Sequence, residues 1–349
     1  MEKLCGSSKA TEIMNLEERI AALTVLGDNL KVPDEEMKAV IEKAVAANVW
    51  FTIENITAAV ENVIENFLQK DKLQAWTKNI TFKEVKKNIG IVAAGNIPLV
   101  AFHDVIAGFM AGHTCKIKLS QKDEVLLPAI INKLNSIDPR CAAYFEIVDF
   151  LKDIDAVIAT GSDNSSRYFH YYFDKYPHII RKNRVGLAVI WGNETDDELL
   201  AIGEDVFQYY GLGCRNVSSL RIPDDFDLSR ILKLWDHFQW VRDNHAYNNN
   251  FEYNLAIYIM SQVPYWANDT LIMIEDNSLV SRLGVVHFTR YNDLDSLAEE
   301  IKSNEDKLQV IISNRDFNEI RTTRPGLSQC PGLADYADGI NTLEFLSLL

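Results

Sequence analysis

The chain predicts an α/β fold built on parallel sheets, and three observations carry that prediction. Between residues 88 and 192 short apolar runs alternate with helical stretches, the β-α-β-α rhythm of a parallel sheet covered by helices on both faces. The same style resumes after Cys214. At 349 residues, 47% hydrophobic and 24% charged, the chain has a soluble globular composition but is too long for one ordinary core.

The elements follow in order. Residues 15–73 read as helical: MNLEERIAALTVLGDNL, PDEEMKAVIEKAVAANVW and ENITAAVENVIENFLQ carry apolar residues at three-to-four spacing. Pro33 is expected to open the second helix, with acids in its first turn. NIGIVAAG is a buried strand, and PLVAFHDVIAGFMAG a helix with Pro98 in its first turn and Gly112 past its end. TCKIKLS is a strand, VLLPAIINKLNSI a helix and AYFEIVDF a strand. AVIATG is a strand opening into a helix at SSRYFHYYFDKY, and VGLAVIWG is a further strand. Thr195 and Glu198 form a capping box, after which Leu199, Ile202, Val206 and Tyr209 recur at helical spacing. NVSSLRIP is a strand ending at Pro223, LSRILKLWDHFQWVRD a helix, TLIMIED and VVHFTRY strands, DLDSLAEEIKSNED a helix and LQVIIS a strand. The tail RTTRPGLSQCPGLADYADG is turn-rich and leads into the apolar run INTLEFLSLL. No internal repeat or low-complexity tract interrupts this order. The expected division is a helical segment and nucleotide-binding domain over residues 1–200, a catalytic domain over 201–320, and a segment over 321–349 that packs back or oligomerises.

Composition also narrows the function. A net charge of −15 repels polyanions, which argues against nucleic acid and anionic membrane as partners. It leaves room for a phosphate-bearing cofactor held by a local lysine. The five cysteines, Cys5, Cys115, Cys141, Cys214 and Cys330, are odd in number and form no CxxC pair. Neither a zinc site nor a disulfide framework is suggested, and a reducing cytoplasm is the expected home. The N-terminal residues carry acids and no apolar core, unlike a signal peptide. No run approaches the roughly 20 apolar residues that span a bilayer.

Four constellations bear on chemistry. Cys214, within Gly211-Leu212-Gly213-Cys214-Arg215-Asn216, falls on a glycine-kinked helix-to-strand turn, a common seat for a nucleophile. A small buried thiol at a helix end is an equally natural reading. Asn96 ends a strand; it either caps the next helix or offers its amide to an oxyanion. Lys116 and Lys118 share one face of a strand, either as a solvated edge or, for Lys118 at the carboxyl end, within reach of a ribose or phosphate. Thr160-Gly161-Ser162 opens a helix whose N-terminus accepts phosphate oxygens or is simply capped. Neither GxGxxG nor GxxxxGK[ST] is present. The histidines, His103, His113, His170 and His178 among them, show no metal-ligand spacing and read as structural or surface groups. Tyr209, Tyr210 and the aromatics of HFQWVRD line a channel or, residue for residue more commonly, fill a core.

The order of these pieces resembles the aldehyde dehydrogenase superfamily, through Asn96-Ile97-Pro98-Leu99, Lys118-Leu119-Ser120, Ala159-Thr160-Gly161-Ser162 and Gly213-Cys214. DAVIATGSDNSSRYFHYYF, YGLGCRNVSSLRIP and DYADGINTLEFL are more closely similar to the LuxC-type acyl-CoA reductases, from about residue 85 onward. The resemblance implies an aldehyde-dehydrogenase-like fold, a Rossmann-like nucleotide-binding domain facing an α/β catalytic domain, commonly in a homo-oligomer. It implies that Cys214 takes the acyl group as a thioester and that Asn96, with the Cys214 backbone N–H, forms the oxyanion hole. It further implies that Lys118 contacts the adenosine ribose or its 2′-phosphate beside Ser120 and Gln121, and that Thr160, Gly161 and Ser162 sit at the pyrophosphate.

Two departures sharpen the expectation. Aldehyde-oxidising members carry a Glu-Leu-Gly-Gly segment whose glutamate activates water; Ile180-Arg181-Lys182-Asn183-Arg184-Val185 stands there, with no carboxylate. Without a general base, water attacks an acyl-cysteine slowly, so the expected reaction is NADPH-dependent reduction of an acyl-CoA or acyl-carrier thioester to the aldehyde. NAD-selective relatives place a glutamate three residues after the lysine; Gln121 stands there, and with Lys116, Lys118 and Lys122 nearby it favours NADPH over NADH. The alternatives are a CoA-dependent or hydrolytic aldehyde dehydrogenase, an acyl-phosphate reductase and a non-catalytic nucleotide-binding scaffold.

Overall fold

A computed structural model describes residues 13–83, 85–161 and 163–349. Four helices come first: α1 (Leu16–Leu30), α2 (Glu35–Ala47), α3 (Ile53–Phe67) and α4 (Lys70–Thr77). Pro33 does not open α2. Asp34 is its cap, accepting the Met37 N–H at 2.9 Å, and the proline stands one residue outside.

A first sheet follows, made from β1 (Asn88–Val92), α5 (Phe102–Met110), β2 (Thr114–Lys118), α6 (Leu126–Ile137), β3 (Phe145–Ile147), β4 (Ala156–Thr160), α7 (Asp163–Phe173) and β5 (His178–Arg181). Its strands are parallel in the order β3-β2-β1-β4-β5. The chain leaves β1 in one direction to β2 and β3 and returns on the other side to β4. That reversal opens a crevice at the carboxyl ends of β1 and β4, where such sheets take nucleotides. Pro98 was expected inside the first turn of α5. The helix instead begins at Phe102, because Leu99 adopts a left-handed backbone (φ 58°) that no α-helix contains.

The second sheet is built from β6 (Val185–Val189), α8 (Asp196–Phe207), β7 (Val217–Pro223), α9 (Leu228–Trp235), α10 (His245–Met260), β8 (Trp266–Ala267), β9 (Ile272–Glu275), β10 (Val285–Tyr291), α11 (Leu294–Ser303) and β11 (Leu308–Ile312). The order is β11-β6-β7-β10-β9-β8, antiparallel only between β8 and β9. The β-α rhythm places β6 in the first sheet, but the strand belongs to the second. Only Lys182, Asn183 and Arg184 separate β5 from β6, whereas a parallel neighbour needs a crossover of roughly a dozen residues. The chain therefore changes sheets at that point. After the second sheet it turns back, and α12 (Thr342–Ser347) packs on α5. Leu333, Leu343 and Leu346 join the apolar core that the N-terminal helices make with the first sheet. A separate core lies between the second sheet and α8 to α10, around Trp235, Phe238 and Tyr247. Among the described residues no helix is long and apolar enough to cross a membrane.

Candidate active site

The site forms where α8 gives way to β7. The expected capping box starts α8: the Glu198 N–H donates to Thr195 Oγ1 at 3.2 Å, and the Thr195 N–H to Glu198 Oε2 at 2.8 Å. Past its end three successive residues are left-handed, Tyr209 (φ 52°), Tyr210 (φ 58°) and Gly211 (φ 76°). Glycine adopts this freely, but each tyrosine stores on the order of 1–3 kcal/mol and persists because its surroundings hold it. A turn from Gly213 to Asn216 follows, closed by the Asn216 N–H on the Gly213 carbonyl at 3.1 Å, with Cys214 and Arg215 as its central pair. Gly213 is needed for space. A Cβ there would lie 2.9 Å from Asn216 Oδ1, which accepts the Gly213 N–H at 2.8 Å. Asn216 Nδ2 donates in turn to the carbonyls of Asp205 (3.0 Å) and Gln208 (2.8 Å), tying the turn to the end of α8.

Cys214 is half-buried and lines a cavity of about 140 Å³. An apolar cavity of roughly 150 Å³ holds a benzene molecule, which sets the scale. Val63 and Phe67 of α3, Pro98 and Leu99 after β1, and Tyr209 give apolar walls. His103, Asp104, Arg181, Arg215, Gln309, Gln329 and Asp335 give polar ones. Burial pushes the Cys214 thiol above its ordinary pKa, with Arg215 and Arg181 working against that shift. Cys115 and Cys141 are wholly buried, their thiols pushed up to about 12 and about 11, and neither lines this cavity.

Asp104 is the carboxylate that the reading of residues 180–185 missed, because it arrives from α5 rather than from the neighbouring strand. It is held by both ends of the Arg181 guanidinium, at 2.5 and 2.7 Å, with both side chains 6% exposed. Burial works to lower the Arg181 pKa, and Asp104 more than offsets it. Asp335 accepts the Gly332 N–H at 2.7 Å. Both carboxylates lining the cavity are thus engaged. His103 is caged by Phe67, Trp76 and Tyr336, and its Nε2 lies 3.0 Å from the Leu333 carbonyl. Burial lowers its pKa and keeps it neutral.

The predicted residues distribute as follows. Asn96 caps no helix, since α5 begins further on; its Nδ2 donates to the Leu212 carbonyl at 2.7 Å, two residues before Cys214. One amide N–H remains, although Asn96 itself is not among the cavity-lining residues. Lys118 ends β2 in register with Val92 of β1, and Val92 pairs with Ala159 of β4. Lys118, Val92 and Thr160 therefore line one rim of the sheet. Lys118 and Gln121 are exposed, and Lys118 makes no ion pair among the described residues. Lys116 is instead occupied by the Lys152 carbonyl (3.0 Å) and Glu146 (4.0 Å). Ser120 packs on Gly95, where a Cβ would lie 2.7 Å from its hydroxyl, so that glycine lets the chain after β1 close against the chain after β2. The Thr160 hydroxyl is 3.4 Å from Arg181 Nη1, and Gly161 is half-buried beside it. Ser162 lies outside the described residues. Of the two tyrosines, Tyr209 lines the cavity and Tyr210 joins the second core, as does Phe238. The linear spacing also hid a grouping of His170, Asp174 and His178, whose ligand-capable atoms lie within 4.8 Å of one another because β5 begins directly after the turn that follows α7. An open rim with a free lysine beside a β1/β4 crevice fits a nicotinamide dinucleotide.

A family model described as acyl-CoA reductase (LuxC) matches residues 15–220. No curated protein sequence matches the chain. Among solved structures it is similar to aldehyde dehydrogenase 21 from Physcomitrella patens in complex with succinate, at 15% identity over 88% of this chain and 75% of that one, with a TM-score of 0.63. It is also similar to the NAD+ complex of an aldehyde dehydrogenase from Bacillus cereus, at 13% identity, 88% and 73% coverage and a TM-score of 0.62. The NADP complex of glyceraldehyde-3-phosphate dehydrogenase GapN from Methanocaldococcus jannaschii gives 10%, 86% and 76%, and 0.61. At these identities the likeness is one of fold.

Proposed function

The chain belongs to the acyl-CoA reductase (LuxC) family, and from that premise we propose that it reduces an acyl thioester to the aldehyde with NADPH, through an acyl group carried on Cys214. The observation that carries the reading is a thiol lining a cavity with both apolar and polar walls, whose buried carboxylate, Asp104, is already committed to Arg181. Cys214 Sγ attacks the thioester carbonyl; the new C–S bond forms as the bond to CoA breaks, and the thiol proton leaves with the CoA thiol. Asn96 braces the turn through Leu212, and its second N–H together with the Cys214 N–H is offered to the tetrahedral oxyanion. Asp104, locked by Arg181, is a poor base for water, so the acyl-cysteine outlasts hydrolysis. A reduced nicotinamide cofactor, when bound, supplies the hydride. The Cys214 sulfur then departs as a thiolate beside Arg215 and Arg181, which favour its charge. Lys118 and Lys122 are the exposed cations offered to a 2′-phosphate.

Incubating the protein with a panel of acyl-CoAs and weighing it intact tests this. An acyl adduct is expected on the wild type and none on Cys214→Ser, whose NADPH consumption falls about 10⁴-fold or more. Undiminished turnover by Cys214→Ser would sink the assignment. Robust acid formation from aldehyde without CoA would sink the thioester reading.

A further inference from the structure

Gln329 lines the same cavity as Cys214 and is 6% exposed, and its Nε2 is buried with no acceptor among the described residues. Buried amide N–H groups without acceptors are rare, because desolvating a donor without repaying it is costly. The side chain stands against the Cys214 turn: a Cβ added to Gly213 would lie 3.5 Å from Gln329 Oε1 and 3.6 Å from its Nε2.

The loop that presents Gln329 is anchored to the same helix as that turn. Asp205 of α8 accepts the Gly326 N–H at 2.7 Å and the Ser328 N–H at 2.9 Å. Its own carbonyl takes Asn216 Nδ2. The Cys330 N–H closes onto the Leu327 carbonyl at 3.1 Å, and Gly326 is left-handed (φ 80°) where it crosses Ala201. One helix end therefore sets the thiol and the unpaired amide relative to each other. Asn96, by contrast, has already spent one of its donors on Leu212.

We propose that Gln329 Nε2–H donates to the carbonyl oxygen of the acyl group bound at Cys214, and so stabilises the negative charge that oxygen acquires when the carbon becomes tetrahedral. The inference rests on the acyl-cysteine reading. The acceptor class it names is a thioester carbonyl, and Gln329 enters the reaction as a catalytic residue.

The test uses the full chain and begins with wild-type acylation by acyl-CoA, followed by intact mass. If the wild type takes no acyl group, the acyl-cysteine reading falls and this inference with it. Given acylation, Gln329→Ala and Gln329→Glu should each lower kcat about 10²–10³-fold with NADPH KM changed less than about threefold. Cys214 should still react with iodoacetamide at the wild-type rate. Gln329→Glu should recover activity as pH falls, since a protonated carboxyl regains a donor and no purely structural role predicts that. Unchanged kcat in both variants overturns the proposal while leaving Cys214 intact as nucleophile. An effect confined to NADPH KM, or alkylation and melting temperature falling together with activity, overturns it as well.

Discussion

Two strand-end regions of this molecule are built on opposite plans. At the rim of the first sheet Lys118 and Gln121 stand exposed, with no ion pair on the lysine among the described residues. Around Cys214 nearly every polar group is tied: Asn216 to carbonyls at the end of α8 and to the Gly213 N–H, Asp205 to the loop before Pro331, Asp104 to Arg181. On the reading proposed above, the rim holds side chains whose partners a ligand would bring. The turn holds side chains whose partners come from the chain itself, and it stores left-handed backbone at Leu99, Tyr209 and Tyr210 to do so. A region organised by its own contacts charges mutations to stability, whereas a region awaiting a ligand charges them to binding.

The largest expected effect breaks the first half of that contrast. Arg181→Met leaves Asp104 buried without its partner, and urea denaturation should show a loss of about 3–5 kcal/mol. A loss below 1 kcal/mol would mean that the pair is not the closed unit described. A smaller effect sharpens the contrast through pH. Burial raises the Asp205 carboxyl from 3.8 to about 6 despite its two N–H donors. Because the folded state binds this proton more tightly than the unfolded chain, its contribution is complete below pH 3.8 and is lost as pH rises through about 6. Roughly two units at about 1.4 kcal/mol each set the ceiling near 3 kcal/mol. Wild type minus Asp205→Asn, followed by chemical denaturation between pH 4 and 7, should slope downward; a flat difference would remove Asp205 from the account. The smallest stability effect belongs to the rim. Lys118→Ala should unfold within about 0.5 kcal/mol of the wild type yet raise the KM for NADPH about tenfold, worth about 1.4 kcal/mol of binding. A destabilised Lys118→Ala with unaltered KM would erase the distinction between the two regions.

The same contrast explains what could be read from the sequence. The Thr195–Glu198 cap and the glycine-flanked turn at Cys214 are local patterns, and both are present. The lysine at the end of β2 was visible because alternation alone places it. Asp104 and Gln329 were not visible, since each reaches the cavity from an element distant in sequence and nothing in its neighbours marks it. The left-handed tyrosines were hidden for a different reason: L-residues disfavour that conformation, so only the folded surroundings impose it. α10 escaped because its apolar residues form no stripe, leaving Tyr253, Ile259 and Met260 exposed. β6 was placed in the wrong sheet because rhythm records that a strand exists, and only the three-residue link to β5 shows that it must depart.

The docking of α12 on α5 has a consequence for synthesis. The first apolar core is begun by helices that precede both sheets in the chain, but Leu343 and Leu346 complete it only after every strand of the second sheet has emerged. Contacts that span so much chain close slowly. A nascent protein halted after β11 would therefore carry an unfinished hydrophobic seam beside α5, a form for chaperones to guard.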